Sequence, residues 1–385
     1  AYLMPVSAQL NSATIEFTAP YVSEMARLKM QEKFGEVAYT KGFDVFTTID
    51  SKLQKSAQTT LKNSIEQYDI RHGYRGAEAK INYNELLNVD FEHDLDVSMK
   101  NISNYLKDFY EINKNIPAVV LNVSSKKIKV YSKYNQLLEI NLNESLIKKQ
   151  YLDVNFTKKI KSFDQVLSIG DVVRIKKVKN KWRLSQIPNV NGAFLSINSN
   201  SGSIQALSGG YDYRLSKFNR AIQAKRQPGS SFKPFIYSAA LNKGYTPASI
   251  INDAPKVFKE NTVSGAWRPK NYSGKFYGPT RLRYGLAKSR NMIAIRLLDN
   301  IGIKYTINYM KKFGILSEKL PRDLTLALGS GEITPINLAK SYAHFSNGGY
   351  SIEPYLIEQV RTRDNAIIYV ENPIRVCGSP CDYMS

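Results

Sequence analysis

The sequence predicts a multidomain α+β protein, and three observations carry this prediction. The chain has 385 residues, which is long enough for two or three domains with their own cores. Residues 73–189 contain short strand-like runs separated by lysine-rich turns. Residues 190–385 begin with a hairpin pattern and continue with helical patterns. We therefore expect a helical linker region, 1–72, that packs with the α+β domain, and an all-β insert between the two.

The linker region combines two predicted helices with one strand. Residues 20–34 place apolar side chains on one helical face, and Gly35 follows as a stop signal. Residues 43–49 alternate between apolar and polar side chains, which is typical of a strand. Asp50 can then cap a second helix that runs from residue 51 to about residue 68.

The middle segment has the pattern of a small barrel. Its apolar runs are only three or four residues long, at 119–121, 128–131, 138–140 and 172–175. Short strands with frequent turns predict a compact, OB-like all-β fold. An OB-like barrel with many lysines raises the possibility of nucleic-acid binding. Aromatic residues do not alternate with the basic ones here, however, so we favour a structural insert with a solvated basic surface and expect no nucleic-acid partner.

The formal net charge of +21 has two interpretations of equal weight. One is an anionic partner surface, such as a membrane face or an acidic polymer. The other is a general preference for lysine, asparagine and isoleucine in the source organism. The sequence contains no signal peptide and no apolar run of transmembrane length. It begins with Ala1, so we expect a fragment whose membrane anchor lies outside this chain.

Two cysteines, Cys377 and Cys381, lie in one short loop near the end of the sequence. They make a poor zinc site because no histidine is close to them in sequence. A local disulfide and two free thiols are both compatible with this spacing. We expect no metal and no cofactor.

The segment 226–235 carries the first chemical motif. Pro228 and Gly229 form a loop signal, and an apolar helical face begins directly after them. Ser230 and Lys233 are three residues apart, so a helix would place a hydroxyl beside an amine on one face. A serine hydroxyl needs a nearby base to act as a nucleophile, and lysine is a base only when burial or another cation keeps it neutral. An isolated S-x-x-K match is more often a solvated lysine near an N-cap serine.

A second motif, Ser289-Arg290-Asn291, follows about 60 residues later, between two predicted helices. The Ser289 hydroxyl can relay a proton to a lysine, and the Asn291 carboxamide can hold a substrate amide. Serine and asparagine are also common in turns, so this triplet alone indicates only a helix-linking loop. The two motifs together predict a serine acyl-transfer site.

The chain resembles the transpeptidase domain of class A penicillin-binding proteins, in particular the penicillin-binding protein 1a branch. The resemblance covers nearly the whole chain from about residue 19, and the runs that carry it are 19–25, 47–50, 71–76, 218–221, 226–235, 284–291, 326–335 and 347–350.

The resemblance implies a penicillin-recognising serine transpeptidase fold, an antiparallel sheet with helices, and an OB-like barrel. It implies that Ser230 is the acylated nucleophile, that Lys233 takes its proton, that Ser289 shuttles the proton and that Asn291 positions the peptide. It further implies a set of substrate-binding residues, namely Ser231, Arg290, Gly329, Ser330 and Gly331.

The implied activity is D,D-transpeptidation at the periplasmic face of the bacterial inner membrane. The substrates would be peptidoglycan stem peptides ending in D-Ala-D-Ala, β-lactams would acylate the same serine, and the barrel could contact other cell-wall synthesis proteins. The third motif of the family, K-[ST]-G, does not occur in this sequence, and the family's glycosyltransferase domain is missing from it. Two alternatives stay open at this point: a non-catalytic cell-wall scaffold and, with less support, a β-lactamase.

Overall fold

The computed structural model describes residues 15–81, 95–153, 156–258, 267–315, 318 and 320–376. The predicted cysteine pair lies outside these residues. The chain divides into two compact units: one combines residues up to 57 with 193–209 and the residues from 218 onward, and the other combines 58–192 with 210–217. The three-part division predicted from the sequence stays a prediction.

The α-helices of the described residues are α1 (Pro20–Phe34), α2 (Val37–Thr40), α3 (Ser51–His72), α4 (Leu95–Tyr105), α5 (Lys233–Asn242), α6 (Leu282–Ala287), α7 (Asn291–Ile301), α8 (Ile303–Met310) and α9 (Pro335–Ser346). Short 3₁₀ turns lie between several of them, including Gly229–Phe232 and Leu324–Leu328. No helix in the described ranges is both long enough and apolar enough to cross a bilayer.

The strands of the described residues are β1 (Asp44–Thr47), β2 (Ala79–Lys80), β3 (Ile116–Val123), β4 (Lys127–Ser132), β5 (Leu137–Asn141), β6 (Lys149–Tyr151), β7 (Thr157–Lys159), β8 (Asp171–Val178), β9 (Lys181–Ser185), β10 (Phe194–Ile197), β11 (Ile204–Ser208), β12 (Ile250–Asp253), β13 (Gly278–Arg281), β14 (Ile357–Arg361) and β15 (Ile367–Val370).

The first unit is a mixed helix and sheet domain. Its strands pair antiparallel as a three-stranded sheet, β1-β14-β15, and as the hairpins β10-β11 and β12-β13. Its largest core surrounds α5 and α7, whose apolar faces are fully buried. Phe235 of α5 meets the rings of Phe313 and Tyr342 edge-on, with centroids 5.1 and 5.2 Å apart. This core fixes the two segments that carry the chemical motifs.

The second unit is built on a six-stranded antiparallel sheet. The strand order is β2-β8-β3-β4-β5, and β9 also pairs with β8, along residues 174–178. Alternate side chains of β3, β4 and β8 fill one core, and the opposite face packs on Ile102 and Leu106 from α4 and the turn after it. All four apolar runs that predicted a barrel lie in these strands.

Two carboxylates of the second unit, Glu66 and Asp69, are paired with cations. Lys176 of β8 donates to both carboxylate oxygens of Glu66 at 2.8 Å, and Tyr211 donates to the same carboxylate at 2.6 Å. Arg75 donates to both oxygens of Asp69, at 2.7 and 3.0 Å. Because Glu66 and Asp69 each have a cation beside them, their charges are compensated.

Candidate active site

Ser230 lies in a 3₁₀ turn, Gly229–Phe232, and not on the α-helix that the apolar spacing predicts. An α-helix through Ser230 would require the N–H of residue 234 to donate to the Ser230 carbonyl. Residue 234 is proline and has no N–H. The Ser230 carbonyl instead accepts from the N–H of Lys233, three residues on, which is a 3₁₀ bond. The Ser230 side chain is exposed, and its hydroxyl makes no hydrogen bond within the described part of the chain.

Lys233, the first residue of α5, is only 1% exposed. Its ammonium group donates to the Ser289 carbonyl at 2.7 Å, to the Ser289 hydroxyl at 3.1 Å and to Asn291 Oδ1 at 2.8 Å. The structure therefore brings Lys233, Ser289 and Asn291 together, although 56 residues separate the lysine from Ser289.

All three acceptors around Lys233 are neutral groups, and none of the described carboxylates forms an ion pair with it. Burial lowers the pKa of Lys233 from 10.5 to about 8. Desolvation disfavours the charged form of a lysine, and here no neighbouring anion counters it. A fraction of Lys233 is consequently a neutral amine near physiological pH, and this is the form that can accept a proton.

Ser289 has a left-handed backbone conformation, with φ at 51°. This region is uncommon for residues other than glycine and asparagine, and it carries a conformational cost of about 1 kcal/mol or more. Both the carbonyl and the hydroxyl of this residue contact Lys233. The strained turn thus presents two oxygen atoms of one residue to the same amine.

A backbone contact joins the segment before Ser230 to the segment 326–335. The Gly229 N–H donates to the Gly329 carbonyl at 3.2 Å, and Arg226 pairs with Ile333 as an antiparallel bridge. A Cβ atom on Gly329 would lie 2.1 Å from the Gly229 carbonyl oxygen, and the φ of Gly329 is positive. Only glycine fits here, so the predicted substrate-binding run at Gly329 is held next to the Ser230 turn.

Three of the other predicted substrate-binding residues, Ser231, Ser330 and Arg290, contact neighbouring residues of the protein through their side chains. The Ser231 hydroxyl donates to the Pro228 carbonyl at 2.6 Å. The Ser330 hydroxyl shares a 2.6 Å hydrogen bond with Thr325. The Arg290 guanidinium stacks on the Tyr277 ring, 3.5 Å from its centroid. Gly331 is buried and has no side chain to contribute. Their roles toward substrate stay predictions.

Sequence reasoning missed two residues of this network, Asn271 and Asp253. Asn271 accepts from the backbone N–H of Asn291 at 2.8 Å. It donates to both oxygens of Asp253, at 2.8 and 2.9 Å. The one signal for Asp253 is its place two residues after Ile251 in β12, because alternation turns both side chains inward. Asn271 has no such signal, since it lies in an irregular loop.

Comparisons with known proteins agree with this geometry. A family model described as the penicillin binding protein transpeptidase domain matches residues 192–376. A second model, described as the penicillin-binding protein OB-like domain, matches residues 74–190. The first match contains both chemical motifs. The second contains all six strands of the sheet in the second unit, from β2 to β9.

Full-length relatives are similar along nearly all of this chain. Penicillin-binding protein 1A of Pseudomonas aeruginosa is 39% identical over 374 residues, which are 97% of this chain and 44% of the relative. Penicillin-binding protein 1A of Vibrio cholerae is 40% identical over 384 residues, 98% of this chain and 46% of the relative. The chain thus spans less than half the length of these curated relatives.

A solved structure supports the same assignment. The crystal structure of penicillin-binding protein 1A from Haemophilus influenzae superposes with a TM-score of 0.83 at 36% identity, covering 95% of this chain and 51% of that chain. The predicted resemblance and the predicted fold class, a serine transpeptidase fold with an OB-like barrel, are confirmed by these matches. The chain belongs to the penicillin-binding protein family and carries its transpeptidase and OB-like domains.

Proposed function

We propose that this chain performs serine D,D-transpeptidation of peptidoglycan stem peptides. The Ser230 oxygen attacks the carbonyl of the penultimate D-alanine, the terminal D-alanine leaves as the amine, and an ester forms on Ser230. An amine of a neighbouring stem peptide then attacks the ester, which releases Ser230 and forms the cross-link. A β-lactam acylates the same oxygen when its ring opens. The observation that carries the proposal is the buried Lys233 amine between the two residues of the S-x-N motif.

Lys233 acts as the base in this proposal. Its lowered pKa, about 8, leaves a neutral fraction able to accept the Ser230 proton. General-base assistance of this kind contributes roughly 10²- to 10⁴-fold in rate.

Ser289 gives the proton a path to the lysine. Of the three acceptors around Lys233, the Ser289 carbonyl and Asn291 Oδ1 can only accept hydrogen bonds, whereas the Ser289 hydroxyl can also donate. When the amine is neutral, this hydroxyl can donate to its lone pair and accept the proton of Ser230. Later it can return the proton to the leaving amine.

Asn291 and the Ser230 backbone complete the proposed site. Asn291 keeps Oδ1 on the lysine, and its carboxamide is proposed to hold the peptide. The developing oxyanion is stabilised by backbone N–H groups, one of them that of Ser230. Ser231, Arg290, Gly329, Ser330 and Gly331 are proposed to shape the substrate cleft around this centre.

Labelling with a fluorescent penicillin tests the proposal in the full gene product that contains this sequence. The native protein, Ser230→Ala and the matched control Ser346→Ala are compared. Ser346 is an exposed serine of the same unit that lies outside the proposed site, and its hydroxyl donates to the Ala343 carbonyl at 3.0 Å. Stable label on the native protein and on Ser346→Ala, with none on Ser230→Ala, is the expected result.

Two other outcomes favour the alternatives. Label that depends on Ser230 but is lost rapidly through hydrolysis would identify a β-lactamase. No label on the folded native protein would reject both enzymatic functions and favour a non-catalytic cell-wall scaffold.

The setting of the enzyme is part of the proposal. We place it at the periplasmic face of the bacterial inner membrane, with an anchor outside this chain, on the basis of the family assignment. Other cell-wall synthesis proteins are proposed as partners of the OB-like domain, whose surface lysines would favour acidic partners. The division into a linker region, 1–72, an OB-like insert, 73–189, and a transpeptidase domain, 190–385, is proposed on the same basis.

A further inference from the structure

We propose that Asn271 and Asp253 are positioning residues that fix the orientation of the Asn291 carboxamide and so hold Lys233 in place. The inference rests on the proposed function, in which Lys233 takes the proton of Ser230. It starts from a chain of hydrogen bonds that runs from a buried carboxylate to the lysine.

The first step is the start of α7. Its N-cap residue, Arg290, makes no side-chain cap hydrogen bond. Asn271 replaces this cap from a distant loop: its Oδ1 accepts from the N–H of Asn291 at 2.8 Å and from the N–H of Met292 at 3.3 Å. The first N–H groups of a helix otherwise have no partner inside the helix. Asn271 therefore ties the backbone of Asn291 to the loop.

The second step fixes which way this cap faces. Asn271 is 5% exposed, and its Nδ2 donates to both carboxylate oxygens of Asp253 and to the Lys275 carbonyl at 2.9 Å. Carboxylates and carbonyls only accept, and backbone N–H groups only donate, so the amide has a single satisfied orientation. Asp253 is completely buried, and no described lysine or arginine forms an ion pair with it. The hydrogen bonds between Asn271 and Asp253 therefore orient the Asn271 amide and do not form an ion pair.

The third step transfers the orientation to Asn291. Its Nδ2 donates to the carbonyl of Lys270, the residue before Asn271, at 3.0 Å. With Nδ2 engaged there, Oδ1 must point the other way, where it accepts from Lys233 at 2.8 Å. Lys270 and Asn271 together thus hold both the backbone and the side chain of Asn291.

Removing this support should weaken acylation more than it weakens the fold. Without the Asn271 side chain, the start of α7 loses its tie to the loop that carries the Lys270 carbonyl, so the Asn291 amide and the acceptor it offers to Lys233 are held less firmly. A displacement of about 1 Å at a catalytic group can lower a rate about 100-fold. Water that enters beside the amine would also move the pKa of Lys233 back toward 10.5, the value from which burial lowers it.

The test measures the acylation rate constant of Ser230 with a fluorescent penicillin, as a function of pH, in the full gene product. Asn271→Ala should lower the rate constant about 10- to 100-fold, and the pH at which the rate levels off should rise. The matched control is Asn252→Ala, which removes an exposed amide from the residue next to Asp253 and should leave both quantities unchanged.

Exchanging the two side chains between positions 253 and 271 distinguishes a positioning role from a purely structural one. Asn271→Asp leaves two carboxylates facing each other, and Asp253→Asn leaves two carboxamides. The double variant restores one carboxylate and one carboxamide, and residue 271 still accepts from the N–H of Asn291. We expect the double variant to acylate faster than Asn271→Asp alone. This comparison stays informative if Asn271→Ala does not fold.

Three results would overturn the inference. The first is an Asn271→Ala rate constant within twofold of the native value with an unchanged pH profile. The second is a rate that falls only in proportion to the folded fraction, together with a double variant no faster than Asn271→Asp. The third is a native protein without Ser230-dependent label, in which case the proposed function fails and this inference fails with it. In the first two, Ser230-dependent labelling of the native protein leaves the proposed function standing.

Discussion

Each of the two units buries a lysine, and the partners of these lysines differ. Lys176 in the OB-like unit is 13% exposed and donates to both oxygens of the Glu66 carboxylate. Lys233 in the transpeptidase unit is 1% exposed and donates only to neutral oxygens. Both satisfy their hydrogen bonds, but only the first has its charge compensated.

This difference supports a structural role for Lys176 and the proposed chemical role of Lys233. Burial disfavours ionisation of Glu66, yet the hydrogen bonds from Lys176 and Tyr211 outweigh it and lower the pKa of Glu66. The pair is thus held charged. Around Lys233 nothing offsets burial, so its pKa falls and proton transfer becomes possible near neutral pH. Burial among neutral acceptors, and not burial alone, is the feature that supports the proposed role of Lys233 as a base.

The largest expected effect is on chemistry at Lys233. We predict that Lys233→Ala lowers the rate of Ser230 acylation about 10²- to 10⁴-fold, because the base is lost. Thermal stability should be retained, since removing an uncompensated buried amine relieves its desolvation. Fluorescent-penicillin labelling and a melting curve measure the two effects, with the exposed Lys288→Ala as control. Parallel loss of labelling and of melting temperature would contradict the assignment.

The reverse outcome is predicted at Lys176. Lys176→Ala leaves the Glu66 carboxylate without its cation, although Tyr211 and Asn113 still donate to it at 2.6 and 2.7 Å. Breaking a buried pair typically costs 3–5 kcal/mol, and the remaining donors should reduce this to about 2 kcal/mol. Chemical denaturation measures the change. If Lys176→Ala abolished acylation and left stability intact, the distinction between the two lysines would be wrong.

The environment of Lys233 also predicts how acylation responds to pH. Because the neutral form of Lys233 is the base, acylation should rise about tenfold per pH unit below the pKa and level off above about 8. Stopped-flow acylation across this range measures the profile. A rate that is flat from about pH 6 upward would mean that Lys233 does not accept the proton in the rate-limiting step.

The smallest expected effect is the acid response at Glu66. Its folded-state pKa lies below 4.5, so the stabilisation from its ionised form is present above that value and is lost as the pH falls through the folded pKa. Glu66→Gln should therefore be less stable than the native protein at neutral pH and should lose less stability on acidification. Equal slopes of unfolding free energy against pH below 4.5 would show that the pair does not control the acid response.

The sequence predicts the parts of the fold that depend on local pattern. The barrel strands were predicted because alternation and turn residues report burial over a few positions. The limits of the Ser230 helix were not, because the apolar spacing masks the effect of Pro234, whose missing N–H turns the first residues into a 3₁₀ turn. The predicted pairing of Lys233 with Ser289 and Asn291 came from the motifs and the family resemblance.

The support of the site was not predictable from the sequence. Asn271 lies in an irregular loop, and its partners are 18 and 20 residues away along the chain. The left-handed backbone of Ser289 gives no local signal either, because serine rarely adopts it. Such contacts depend on how distant segments pack, and composition and periodicity carry no information about that.

The three hydrogen bonds of Lys233 determine when its side chain loses conformational freedom. A lysine on its flexible four-carbon stem loses about 2 kcal/mol of rotamer entropy when it is confined to one conformation. In this site the three acceptors and the surrounding core confine it when the chain folds. The entropy is therefore lost during folding, and the proposed acyl transfer can begin without a search among side-chain conformations of Lys233.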